Sequence, residues 1–175
     1  MSSSLGQEVV VENRPGGNLG IGAAAVLNAA PDGYTRLFAL GANDGLPHLS
    51  KASRYKSISE FAPISTVGGS ALCLVVPTSL PVKTLAEFVA YAKSSPQILM
   101  RGSNNPAEDM VTGHVTSAFG IKLERVPHKG GSQMLPDLLQ GRLQAAVMPT
   151  GLAAPNVKLG QLTMLGCCPS TINKL

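Results

Sequence analysis

The chain has 175 residues, of which 44% are hydrophobic and only 14% charged. That sets general disorder aside and calls for a packed core, in one domain or two small ones joined closely. Aromatic residues are scarce while Gly and Pro are plentiful, which favours an α/β protein rich in tight turns over a bundle or an aromatic-rich sandwich. The net charge of +4 comes from scattered Lys and Arg with no basic run interleaved with aromatics, so it reads as solvated surface and gives nucleic-acid binding no support.

The opening "MSSSLGQEVVV" lacks a basic segment followed by an apolar one, so no signal peptide is expected in this chain. No stretch approaches the ~20 apolar residues that span a bilayer. A first strand is expected over residues 8–12. "RPGGNLGIG" then turns into an Ala-rich helix capped by Asn18 and running to Ala30, and "PDGY" turns the chain again. A strand is expected at 35–40, and two more at 63–67 and 71–77, with Gly68 and Gly69 between them and no helix.

After Pro77 and Pro81 the alternation of strand and helix restarts. Thr84 caps a helix whose Leu85, Phe88, Val89 and Ala92 share one face. A strand at 98–101 leads through Asn105 and Pro106, a good first helical residue, into a helix with Val111, Val115, Ala118 and Phe119 inward and Gly120 as its stop. A strand at 123–127 is followed by a helix capped by Ser132, carrying Leu135, Leu138 and Leu139 and ended by Gly141, with Pro136 near its first turn. Strands at 143–148 and 162–165 complete the pattern. Near-continuous apolar strands alternating with helices imply parallel sheets with right-handed crossovers.

Several glycine turns invite a ligand. In "GGNLGIG" the order from Gly17 is G-x-x-G-x-G. Arg14 and Pro15 separate it from the strand, and no acid ends the next strand, so a dinucleotide fingerprint is not met. Gly20 and Gly22 read better as letting the helix pack closely on a sheet. The turns at 102–105 and 128–132 each follow a strand and open a helix, leaving backbone N–H groups at a positive helix end suited to a carboxylate or phosphate. Lys129 adds charge to the second, whereas Glu108 and Asp109 oppose an anion at the first or simply satisfy the helix dipole.

Chemistry has little to work with. His48, His114 and His128 lack recognisable partners, His114 reads as semi-buried structure, and no nucleophile elbow is present. Ser132 as a nucleophile would need a positioned base. Cys73, inside "ALCLVV", reads as core, and the neighbours Cys167 and Cys168 make no C-x-x-C spacing, so neither a disulfide framework nor a zinc site follows. No metal or cofactor is expected, and an enzyme is not indicated.

Four segments in order, "VVENRPGG", "AAPDGYT", "FAPIS" and "VPHKGG", resemble the tripartite tricarboxylate transporter receptors, the Bug-type solute-binding proteins. The likeness is collinear over nearly the whole chain. It implies an α/β fold: a two-lobed clamshell of the type II periplasmic-binding-protein kind, with mainly parallel sheets, holding a small carboxylate in its cleft and passing it to membrane permease subunits. A periplasmic location is implied with it. Carried over by position, the ligand-contacting residues implied are Gly102, Ser103 and Asn104 from one turn, Gly130, Gly131 and Ser132 from another, and Gly41, Ala42 and Asn43 from the opposite lobe.

This chain starts after the family's first strand, carboxylate loop and helix, and it ends in "CCPSTINKL", unlike the family's continuation. Met148 stands where an aspartate is frequent in the family, and the turn at 104–109 is a residue short and carries acids. The expected organisation is therefore an incomplete first lobe at 1–77, a nearly whole second lobe at 78–161 and a return segment at 162–175. Exposed first-lobe edges would favour a homo-oligomer. The leading expectation is a solute receptor. A non-binding remnant persisting as an oligomer comes second, and a nucleotide-binding enzyme a distant third.

Overall fold

The structure, a computed structural model, describes residues 2–17, 20–39, 47 and 55–168. Its centre is a five-stranded sheet built from β1 (Leu72–Pro77), β2 (Leu99–Ser103), β3 (Leu123–Pro127), β4 (Ala145–Pro149) and β5 (Leu162–Cys168), in the order β3-β2-β4-β1-β5. β2 runs parallel to β3 and β4, while β1 is antiparallel to both its neighbours. α3 (Leu85–Ser94), α4 (Pro106–Phe119), α5 (Gly131–Leu139) and α6 (Thr150–Lys158) pack on the sheet, and α1 (Ser2–Leu5) and α2 (Gly20–Leu27) precede it in the chain.

The two-residue period of β1 sorts the core into layers. Cys73 and Val75 pack with Met134 and Leu138 of α5 and Ala153 of α6, whereas Leu74 and Val76 meet Phe88 and Val89 of α3 together with the apolar side of α4. Both faces are thus covered, which explains why β1 reads "LCLVVP" without polar alternation. The local signals behind the helices are the expected ones at several ends. Thr84 accepts from the Glu87 N–H, Asn105 caps α4 with Pro106 first in the helix, and Gly120 ends it at φ 62°, a left-handed conformation that suits glycine.

Several expectations are corrected. Residues 71–77 and 162–165, expected in the first lobe and in a return segment, supply β1 and β5 of the one sheet that also holds β2, β3 and β4. Helices on both faces of this sheet bury "LCLVVP". The segment "TGLAAPNVK", for which no element was expected, is α6, with Pro155 inside it. β4 and β5 run in the same direction, since both are antiparallel to β1, and such strands need a crossover.

Within α4, Phe119 is exposed and Glu108 and Thr112 are buried instead. Ser132 lies inside α5, whose N-cap is Gly130. His114 is exposed. Cys73 and Cys167, paired across β1 and β5, form a disulfide, leaving Cys168 as the free, exposed thiol. Their sequence separation of 94 hid the pairing from any spacing rule.

The segments expected as strands at 8–12, 35–40 and 63–67 have no ladder partners among the described residues; residue 40 lies outside them. Their side chains show the consequence, since Val10, Val11, Phe38, Ile64 and Val67 are each more than three-quarters exposed. Helix α2 is shorter than expected, with Asn18 outside the described residues. Its Ala23 and Leu27 pack with Tyr55, Leu37 and Phe61 rather than on a sheet. Gly22 faces the Arg14 backbone, with 3.6 Å to the carbonyl oxygen from where a Cβ would stand. The turn's own demand falls on Gly16 and Gly17, whose φ values are 109° and 57°.

Candidate functional site

The parallel strands β2, β3 and β4 end at Ser103, Pro127 and Pro149, so the starts of α4, α5 and α6 gather at one edge of the sheet. The chain leaves β2 outward to β3 through α4, then crosses back through α5 to β4 on the other side of β2. The helices lie on opposite faces as a result. Open α/β sheets hold ligands at such reversals.

The turns at 102–105 and 128–132 are brought side by side there. His128 N–H donates to the Ser103 carbonyl at 2.8 Å, and a Cβ placed on Gly131 would stand 3.8 Å from Asn104 Nδ2. The turn after residue 40, with Gly41, Ala42 and Asn43, lies outside the described residues.

The first turn is closed by the protein's own groups. Glu108 reaches back so that Oε2 accepts from the Asn104 backbone N–H at 3.0 Å, and Asn104 Nδ2 donates to Oε1 at 2.9 Å. The Asn105 side chain accepts from the Glu108 N–H at 3.1 Å. Ser103, Asn105, Glu108 and Thr112 are the buried polar side chains of the described residues, and all belong to this one connection. Burial pushes the Glu108 carboxyl up from 4.5 to about 7, the hydrogen bonds from Asn104 and Asn105 only partly opposing it.

Burial presses on Asp109 too. There, hydrogen bonds from Arg101 at 2.6 Å and Arg125 at 3.0 Å prevail and hold the carboxyl below its ordinary value. The fully buried Ser103 hydroxyl lies close enough to Asp109 to favour its charge, yet no atom meets it in hydrogen-bonding geometry. Gly102 serves packing: a Cβ there would overlap the Met134 side chain and come within 2.8 Å of Leu143 Cδ1.

The second turn is different. No side chain caps α5; Gly130 is extended at φ −173°, and Gly130 and Gly131 are half-buried while Ser132 and Lys129 are exposed. The turn's base is braced by His128, expected to be without partners. Its Nδ1 lies 3.0 Å from the Val126 carbonyl and its Nε2 3.0 Å from Asp137, which also takes Arg142.

At the third start, the Ala71 carbonyl accepts from the Thr150 N–H at 2.9 Å and from its hydroxyl at 3.0 Å. Of the three helix starts, α5 is thus the one whose first amides meet neither a capping side chain nor a loop carbonyl.

A recess of about 350 Å³ lined by Ile98, Arg101, Thr116, Ile121, Lys122, Leu123 and Glu124 sits at the other end of the sheet, away from these turns. Among the described residues no group of His, Cys, Asp and Glu is arranged to hold a metal ion.

A mixed, mostly parallel sheet with helices on both faces is the build of a periplasmic-binding-protein lobe, and the match to solved structures bears this out. With Rpa4515 of R. palustris, solved with adipate, the TM-score is 0.90 at 26% identity, over 97% of this chain and 57% of that one. The chain belongs to the tripartite tricarboxylate transporter family receptors, whose family pattern matches residues 1–171.

Among curated relatives, the UPF0065 protein in the gbd 5′ region of Cupriavidus necator is 34% identical over 169 residues, covering 94% of this chain and 50% of the relative. Protein BugT of Bordetella pertussis is 29% identical over 174 residues, covering 97% of this chain and 53% of BugT. The chain spans about half the length of the curated relatives it matches.

Proposed function

We propose that this chain is the solute-gripping part of a receptor that captures a small carboxylate between two lobes in the periplasm and hands it to the membrane subunits of a tripartite transporter. The observation that carries the reading is the uncapped start of α5 at the strand reversal. The amides of Gly131 and Ser132 there can accept an anion at a positive helix end without displacing a cap. Family membership and an adipate-bound relative of the same fold support it. Gly41, Ala42 and Asn43 would grip from the opposing lobe, and β1 and β5, entering and leaving the sheet side by side, would be the crossings on which the lobes hinge. No covalent chemistry is required of any residue.

Isothermal titration with adipate, other dicarboxylates, citrate, amino acids and aromatic acids tests the reading, and silence across that panel rejects it. A second reading is favoured by the exposed apolar side chains of residues 8–12 and 63–67: the chain associates with further copies through these unpaired segments. Sedimentation decides it, since a monomer at tens of micromolar argues against association.

A further inference from the structure

Glu108 sits where a receptor of this architecture has anion-binding capacity to offer. Its carboxylate takes the Asn104 backbone N–H and the Asn104 side-chain amide, the donors just past the end of β2. Asn105 takes the next free amide of the α4 start. Glu108 is 1% exposed, and the Asn104 amide that binds its carboxyl lies against Gly131, so an acidic group that is negative at pH 8 stands beside the open start of α5. Of the charged groups around it, Asp109 is neutralised by Arg101 and Arg125, and His128 is committed to Asp137. No cation contacts Glu108 itself among the described residues.

We propose that Glu108 is a built-in occupant of the β2–α4 anion position and acts as a specificity residue. This lobe then takes one external carboxylate, at α5, and rejects solutes that bring a second anionic group to the same lobe. The inference rests on the receptor reading above and narrows its ligand class. Monocarboxylates, and dicarboxylates long enough to place one carboxylate on each lobe, are accepted. Compact tricarboxylates, which crowd two carboxylates on one side, are disfavoured by like charge held in a region of low dielectric. The same geometry explains why the first turn tolerates acids: they close it.

The test is titration of adipate and citrate into the chain and into Glu108→Gln at pH 8, where the wild-type carboxylate is charged. Glutamine keeps an acceptor for the Asn104 N–H and removes the charge. The expected result is that wild type favours adipate, and that the variant gains at least ten-fold in citrate affinity with less than three-fold change for adipate. Should Glu108→Gln fail to fold by circular dichroism, Glu108→Thr removes the same charge. An unchanged adipate-to-citrate ratio overturns the proposal and leaves the receptor reading standing. No binding of either acid to either protein overturns both.

Discussion

Replacing Glu108 by glutamine should make the protein more stable at pH 8 and leave it nearly unchanged at pH 4.5. The carboxyl sits at about 7 in the folded chain against an ordinary 4.5, chiefly because burial penalises its charge. A folded-state value raised above the unfolded one favours the protonated form, so this contribution is complete below about pH 4.5 and lost as the pH rises through 7. At 1.36 kcal/mol for each tenfold change in proton affinity, the loss by pH 8 is about 3 kcal/mol, with the hydrogen bonds from Asn104 already counted.

Glutamine resembles the protonated acid in shape and charge and does not titrate, so the variant should escape this loss. For a lobe of about 100 residues that corresponds to a rise in Tm on the order of 10 °C at pH 8. Thermal unfolding of both proteins, followed by circular dichroism from pH 4.5 to 8.5, measures it. Two melting curves that run parallel across the range, or a variant less stable at pH 8, would refute the assignment of Glu108 as a buried and uncompensated carboxylate.

Other substitutions probe the site and the sheet. Gly102→Ala should cost about 1–3 kcal/mol by driving a methyl group into Met134 and Leu143, lowering the midpoint of urea unfolding without changing its slope. Ser132→Pro removes an amide from the α5 start at a position where no intrahelical bond is lost, so helicity should persist while carboxylate affinity falls at least ten-fold by titration. Alkylation of the unfolded, unreduced chain should label Cys168 alone and reach three sites after reduction, as mass spectrometry will read. Reduction should also lower the urea midpoint, because the bond closes a loop of 94 residues, worth up to about 4 kcal/mol on loop entropy.

Much of this architecture was legible before any coordinates. The caps Thr84, Asn105 and Gly120 act within one helical turn, the inward face of α3 follows from a spacing of three and four residues, and the alternating plan predicts parallel strands. The motifs from "VVENRPGG" to "VPHKGG" placed the chain in its receptor family, and the turns at 102–105 and 128–132 stood out because glycine after a strand exposes amides at a helix start.

What the tertiary structure decided was which of those local possibilities is used. Each depends on a partner far away in the chain. β1 joins this sheet because helices cover both its faces. Cys73 finds Cys167 only when β5 is laid beside β1. The unpaired segments at 8–12 and 63–67 have strand-like sequences, yet a ladder needs a neighbouring strand and not a propensity. Glu108 carries an acid's letter on a helix's first turn, where the dipole explains it fully. Only its burial between two turns makes it close the β2–α4 turn on Asn104, while the α5 start keeps no capping side chain.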